Sequence, residues 1–137
     1  MALVTKVSTA SMDTVTAQVA PQISGLYAGE DLGIAAPCYI KASDGKVYQS
    51  NGTAANEAAT VYGFTPRAAK SGQPITLYGL GTRFKYGSGL TIGATLYAAA
   101  TAGALDTAAT TGDAVGVAKV ITATDIIVIR ANGKGAA

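Results

Sequence analysis

The chain has 137 residues, among them 28 Ala, 17 Gly and 17 Thr, and only 13% of its residues are charged. This length favours one domain with a core of its own, and the low charge argues against disorder. The net charge of +2 is spread along the chain without a Lys or Arg run, so no nucleic-acid partner is expected. No apolar stretch approaches the roughly 18 residues of a membrane span, and the N-terminus lacks a signal-peptide pattern, so no membrane partner is expected.

The first 24 residues, MALVTKVSTASMDTVTAQVAPQIS, are rich in Ser and Thr and show no helical period of apolar residues. We predict an extended N-terminal arm over 1–24, a β-domain over 25–131 and a flexible C-terminal tail over 132–137. Two interpretations of the arm stay open: a floppy terminus, or a segment that orders on a neighbouring protein. The candidate contact residues of the arm are Leu3, Val4, Lys6, Val7, Val15 and Val19.

From Gly25 onward, short β-prone runs alternate with Gly, Pro, Asp and Asn. The runs PCYIK and KVYQ flank a turn that contains Asp-Gly, and they predict a β-hairpin. The runs ATVYGFT, QPITLYG and TRFKY predict three further strands, and DIIVIR is the most β-prone run of the chain. In TRFKY, apolar Phe84 is flanked by Arg83 and Lys85, so this strand has one apolar and one basic face. Arg83 and Lys85 are therefore further candidate contact residues.

One stretch of the sequence occurs twice. LGIAAPCYIKASDG at 32–45 and LTIGATLYAAATAG at 90–103 share six identical residues, all at one offset of 58. Further along, Gly63 in VYGFTP matches Gly116 in AVGVAK at an offset of 53. The order of the matching phrases is the same in both halves, which indicates an internal duplication.

The duplication defines the predicted fold. ITLY at 75–78 matches IIVI at 126–129, so residues 32–78 and 90–129 are predicted to be two copies of one four-strand unit. The strand TRFKY is predicted to bridge them. Neither copy alone could bury its apolar face. We therefore predict an all-β domain, a compact barrel or sandwich built from two pseudo-repeats and preceded by the arm.

Residues that could carry chemistry are few. The chain has no His, which removes the commonest general base and metal ligand. The single Cys38 lies in an apolar run and is predicted to be a buried side chain rather than a reactive thiol. Glu30 and Asp31 form the only adjacent carboxylate pair, and neighbours on a strand point to opposite faces. The carboxylates are predicted to bond locally to the backbone, and no catalytic residue, cofactor or metal ligand is expected.

Three long segments of the chain, GLYAGEDLGIAAPCYIKASDGKVYQ, VYGFTPRAAKSGQPITLYGLGTRFKY and GLTIGATLYAAATAGALDTAATTGDAVGVAKVITATDIIVIR, together resemble the head decoration (cement) proteins of tailed double-stranded DNA bacteriophages. The resemblance covers about 25–130 and rests on several short phrases in order. It implies a non-enzymatic virion protein, made in the bacterial cytoplasm, that binds the outer surface of the expanded capsid. It also implies a homotrimer that bridges capsomers of the major capsid protein against DNA pressure. The arm lies outside the resemblance, but its Thr and Val content and its lack of a core pattern favour a strap that adds a strand to a neighbouring protein.

Other functions stay open beside this one. The chain could be another virion part, such as a head-fibre subunit or a tail subunit; a tail-tube subunit would form rings or stacks. It could also be a carbohydrate-binding module on the virion surface, which requires several exposed Tyr side chains on one face. For the seven Tyr residues, packing in the core or in an interface is the favoured role. An enzyme is the least favoured class.

Overall fold

The computed structural model describes residues 22–53, 56–130 and 133–134, together with Thr5 and Ser8. All six candidate contact residues of the arm fall outside the described residues: Leu3, Val4, Lys6, Val7, Val15 and Val19.

The described residues form twelve short strands and a 3-10 turn at Glu57–Ala59. The strands of the first half are β1 Gln22–Tyr27, β2 Pro37–Ile40, β3 Val47–Gln49, β4 Thr60–Val61, β5 Gly63–Phe64 and β6 Pro74–Tyr78. Those of the second half are β7 Arg83–Lys85, β8 Thr95–Ala98, β9 Leu105–Asp106, β10 Ala118–Val120, β11 Asp125–Val128 and β12 Gly133–Lys134. Strand β1 thus contains the last three residues of the predicted arm.

The all-β prediction is confirmed, in its sandwich form. Ten strands make two five-stranded antiparallel sheets, ordered β1-β6-β5-β2-β3 and β7-β11-β10-β8-β9. Each of these sheets keeps two edge strands within the described chain, so neither closes into a barrel. A third, two-stranded sheet pairs β12 with β4, and Gly133 and Lys134 of the predicted tail are thereby opposite Val61 and Thr60.

The duplication is visible in the sheets, because both have the same strand order. Strands β2, β3, β5 and β6 correspond to β8, β9, β10 and β11, and β1 corresponds to β7. One assignment is corrected: TRFKY is not a bridge between the copies but the first strand of the second copy. It pairs with β11 at the sheet edge, as β1 pairs with β6 in the first sheet.

The register corrects two parts of the sequence alignment. Cys38 lies opposite Gly63 in the first sheet, and its counterpart Leu96 lies opposite Ala118 in the second, so Gly63 corresponds to Ala118 and not to Gly116. The next residue, Phe64, lies opposite Tyr78, and its counterpart Lys119 lies opposite Ile127, so the match of ITLY to IIVI is also wrong by two residues. A shift of two residues keeps every side chain on the same face of its strand, so the apolar pattern does not detect the difference. The hairpins β2–β3 and β8–β9 keep the predicted offset of 58.

Each copy contributes most of one apolar core. The first core contains Cys38 and Leu77 from the first sheet, covered by Leu32 from a preceding loop. The second contains buried residues of β8, β10 and β11. Phe64 joins the two, because it belongs to the first sheet but is buried in the second core, with its ring 5.3 Å from that of Phe84.

The loop after β3 also ties the copies together. The Gly52 N–H donates to the Ala99 carbonyl at 2.7 Å, and the Gly52 carbonyl accepts from the Gly112 N–H at 3.0 Å. A side chain at position 52 would collide with the Ala98 carbonyl. Only glycine allows the first copy to approach the second this closely.

A matched pair of turn residues yields a stability prediction. Ala35 has φ 51°, and its counterpart Gly93, at the same offset of 58, has φ 87°. The Ala35 N–H donates to the Thr65 carbonyl and the Gly93 N–H to the Val120 carbonyl, and these two acceptors are counterparts as well. We expect Gly93→Ala to lower the free energy of unfolding by about 1 kcal/mol, because a Cβ strains this left-handed conformation. Ala35→Gly should change it by less than about 1 kcal/mol, since relief of strain is offset by unfolded-chain entropy. Urea denaturation tests this, and equal losses in both variants would contradict it.

Candidate functional site

The two candidate contact residues outside the arm lie on β7. Arg83 and Lys85 are exposed, whereas Phe84 between them is half-buried and packs on the second core. The predicted alternation of a basic and an apolar face on this strand is confirmed. Arg83 Nε lies 3.1 Å from Asp125 Oδ2, while Lys85 forms no salt bridge within the described residues. Lys85 is therefore the cation of β7 that remains available to a partner.

The carboxylate of Asp125 engages Arg83 in its ionised form. A hydrogen bond from the Thr124 hydroxyl and another from Arg83 hold the pKa of Asp125 below its usual range. Arg83 is thereby tied to the neighbouring strand β11, and the Lys85 charge adds a smaller lowering of the pKa of Asp125. Sequence reasoning grouped Arg83 with Lys85, but the fold gives the two cations different surroundings.

An apolar cleft of about 300 Å³ opens where the two copies meet, and we call it the junction cleft. Among its lining residues, Phe64 is buried, Tyr78 and Phe84 are half-buried, and Ile34 is 70% exposed. Lys85 lines it as well. The aromatic residues come from both sheets, so neither copy could form this cleft alone.

Thr82 adds a polar group to the junction cleft. Its hydroxyl Oγ1 is buried and has no hydrogen-bond partner among the residues that the structure describes. A buried hydroxyl without a partner is uncommon and costs about 1–3 kcal/mol. A bound group with a hydrogen-bonding oxygen or N–H could recover part of this cost.

A second, smaller cleft of about 220 Å³ adjoins the first, and Pro66 and Tyr78 line both. Arg67 lines the second cleft, where its Nη2 donates to the Pro74 carbonyl at 2.6 Å. Among the described residues, no Asp or Glu lines either cleft. The first cleft is mostly apolar and the second mostly polar, and together they form a groove whose charged lining residues in the described chain are Arg67 and Lys85. We call it the junction groove.

The exposed side chain at the junction cleft has a counterpart in the other copy. Ile34 and Ile92, separated by the offset of 58, are 70% and 69% exposed. Ile92 does not line the junction cleft. Single exposed apolar side chains are common on proteins, but Ile34 extends an apolar surface that already includes the cleft. The other large apolar side chains exposed in the described chain are Tyr27, Leu80, Val115 and Ile129.

The prediction that the carboxylates bond locally to the backbone holds for Asp44, Asp106 and Asp113, which accept N–H groups two or three residues further along the chain. It is wrong for the carboxylates of Glu30, Asp31 and Glu57, whose N–H donors are 15 to 40 residues away in sequence. Six of the seven in the described chain accept a backbone N–H, as Glu30 does from Gln49 and Asp31 from Ser71. Asp113 is fully buried, where it accepts three backbone N–H groups and lies 3.2 Å from Arg130 Nη2. Within the described residues, no group of three or more Asp, Glu, Cys or His side chains could hold a metal ion.

The prediction that Cys38 is a buried side chain is confirmed, because its exposure is 0%. Burial, with a smaller effect from the Glu30 charge, raises the pKa of the Cys38 thiol to about 12. At pH 8 the folded protein thus holds a neutral thiol, whereas an unfolded Cys is partly ionised. We expect Ellman's reagent to react more than about a hundredfold more slowly with folded than with urea-unfolded protein. Rapid stoichiometric labelling of the folded chain would contradict this.

The tyrosines do not form an exposed aromatic row. All seven lie in the described chain, and Tyr27 alone has an exposed side chain. Tyr39 and Tyr48 are cross-strand neighbours with ring centroids 6.0 Å apart, and the Lys41 ammonium covers the Tyr48 ring at 4.9 Å. The carbohydrate-binding alternative requires several exposed rings on one face, and this arrangement does not supply them.

Comparison with known proteins adds no relative to this picture. No protein-family model matches the chain, and no curated protein matches it. In the part of the chain that the structure describes, no helix is long and apolar enough to cross a membrane.

Proposed function

We propose that this chain is a non-enzymatic head decoration protein of a tailed bacteriophage. It binds the outer surface of the expanded capsid, as a trimer, and bridges neighbouring capsomers of the major capsid protein against DNA pressure. The observation that carries the proposal is the duplicated β-domain with the ordered phrases of 25–130, whose sequence resembles such proteins. The chain would be made in the bacterial cytoplasm and end on the virion surface.

The physical character of the described surface supports this role. With few charges, little polar surface must lose its water when the protein docks. The junction cleft and Ile34 supply an apolar patch, as expected of a surface that contacts protein. A trimer that holds three capsid subunits also gains from effective concentration, so modest contacts by each subunit suffice.

Co-sedimentation with phage heads tests the proposal. The purified chain is mixed with expanded, undecorated heads of its own phage, and immature proheads serve as the control. We expect saturable binding to expanded heads and none to proheads, with a copy number that is a multiple of three. Absence of binding to both would refute the decoration role, and rings or stacks formed by the chain alone would favour a tail subunit.

The predicted arm is a second contact in this proposal. Its Val and Thr content suits a strand added to the edge of a neighbouring sheet. We expect deletion of 1–20 to weaken binding to expanded heads without altering the thermal stability of the β-domain. Unchanged binding by the deleted chain would remove the arm from the proposal.

A further inference from the structure

We propose that the junction groove is the docking site for an extended segment of the capsid partner, in which an apolar side chain is flanked by carboxylates. This inference rests on the proposed function for the identity of the partner. The chemistry of the segment follows from the groove alone.

The shape of the groove calls for an apolar side chain at its centre. The junction cleft has a volume of about 300 Å³ and is walled by the rings of Phe64, Tyr78 and Phe84. Ile34 stands beside it with 70% of its surface exposed. One aliphatic or aromatic side chain in this cleft would remove both its own surface and that of Ile34 from water. Such a buried anchor typically carries much of the affinity of an interface.

The charge of the groove calls for carboxylates beside that side chain. Lys85 lies in the larger cleft and Arg67 in the smaller, with Pro66 and Tyr78 between them. No acidic residue lines either cleft, and neither cation forms a salt bridge within the described chain. Because the clefts share a wall, an extended segment would bring residues on both sides of the anchor near a cation.

One further feature favours a segment with backbone groups. Among the described residues the buried Thr82 hydroxyl has no hydrogen-bond partner, and a backbone carbonyl or N–H of the segment could bond to it.

The duplication supplies a matched control for the test on heads. Ile34→Glu places an acid beside the junction cleft, whereas Ile92→Glu makes the same change at the counterpart, which is equally exposed. Lys85→Glu reverses a charge in the groove. Lys46→Glu makes the same substitution at an exposed hairpin residue outside the groove and is its control. We expect Ile34→Glu and Lys85→Glu to weaken binding to expanded heads by about tenfold or more, and the two controls by less than about twofold. Equal effects of a variant and its control would overturn the assignment.

A second measurement separates the groove from the proposed function. The full chain is titrated with the capped peptide acetyl-Ser-Asp-Leu-Asp-Ser-amide, and with its counterpart containing Lys for Asp, while backbone amide shifts are followed by NMR. We expect the acidic peptide to shift the resonances of Thr82, Phe84 and Lys85, and Lys85→Glu to abolish these shifts. Equal responses to both peptides, or shifts elsewhere, would overturn the groove chemistry. If the acidic peptide binds in the groove but the wild-type chain does not bind expanded heads, the decoration role is refuted. The groove assignment then stands, with a partner other than the capsid.

Discussion

Replacing Asp113 by Ala is expected to lower the free energy of unfolding by about 3–5 kcal/mol. The Asp113 carboxylate is fully buried and accepts hydrogen bonds from the backbone N–H groups of Ala98, Val115 and Gly116. Its removal would leave these donors and the largely buried Arg130 guanidinium without their anion. Since domains of this size have a total stability of about 5–15 kcal/mol, the loss should be visible in any denaturation curve.

The effect of Asp113 should extend to the junction between the copies. Asp113 fixes the loop after β9, and Gly112 of that loop bonds to Gly52 of the first copy. The matched control is Asp106→Ala, which removes an exposed carboxylate of the same copy that accepts one N–H, from Ala108. We expect the control to cost less than about 1 kcal/mol in urea denaturation. A similar cost for both variants would show that the buried network contributes little.

Replacing Phe64 by Ala is expected to lower the free energy of unfolding by about 3–5 kcal/mol. Phe64 is 1% exposed. It belongs to the first sheet, but its side chain is buried in the second core, where it packs on Phe84. Because the two copies share this side chain, we expect one cooperative unfolding transition in the wild-type chain and in the variant. The more conservative Phe64→Leu keeps most of the buried surface and should cost about 1–2 kcal/mol.

The shape of the transition decides whether the copies fold as one unit. Urea denaturation followed by tyrosine fluorescence and by far-ultraviolet circular dichroism should give the same midpoint for the wild-type chain. The Phe64→Ala variant should keep the slope and shift the midpoint. Two separate transitions in the wild-type chain would contradict the view that each copy depends on the other.

Much of the fold follows from local patterns in the sequence. The hairpin β2–β3 and its counterpart were predicted from a repeat with one offset, because both keep the same connection length and the same register. The burial of Cys38 followed from its apolar neighbours. The local hydrogen bonds of Asp44, Asp106 and Asp113 followed from their positions in turns, where short acidic side chains bond to nearby N–H groups. The long-range bonds of the other carboxylates depend on how the strands and loops pack and could not be predicted.

Other features depend on tertiary structure and were missed. Strand β7 was taken for a bridge because its sequence, RFK, shares no residue pattern with that of its counterpart β1, QISGLY. The pairing of β1 with β6 is also interrupted by a register shift between Ile23 and Leu26. The match of Gly63 to Gly116 was wrong by two residues, a shift that leaves the side-chain pattern unchanged. The junction groove could not be predicted, because its walls come from both copies and meet only when the sheets pack.

The candidate contact residues also show what a local sequence pattern can predict and what it cannot. Arg83 and Lys85 were chosen from the alternation of a single strand, and the structure places Lys85 in the junction cleft. Ile34 was not chosen, although its exposure has a signal in the sequence. It lies in the turn GIAA, and its counterpart Ile92 lies in the turn TIGA. An apolar residue kept in both copies of an exposed turn is a reason to consider a contact surface.

The central claim is that the chain binds the outside of the expanded capsid as a trimer, and electron cryomicroscopy of decorated heads tests it most directly. Expanded heads incubated with the chain are compared with untreated heads from the same preparation. We predict added density over the threefold and quasi-threefold positions, with three copies of the β-domain around each axis. Added density elsewhere, or none at saturating concentrations of the chain, would contradict the claim.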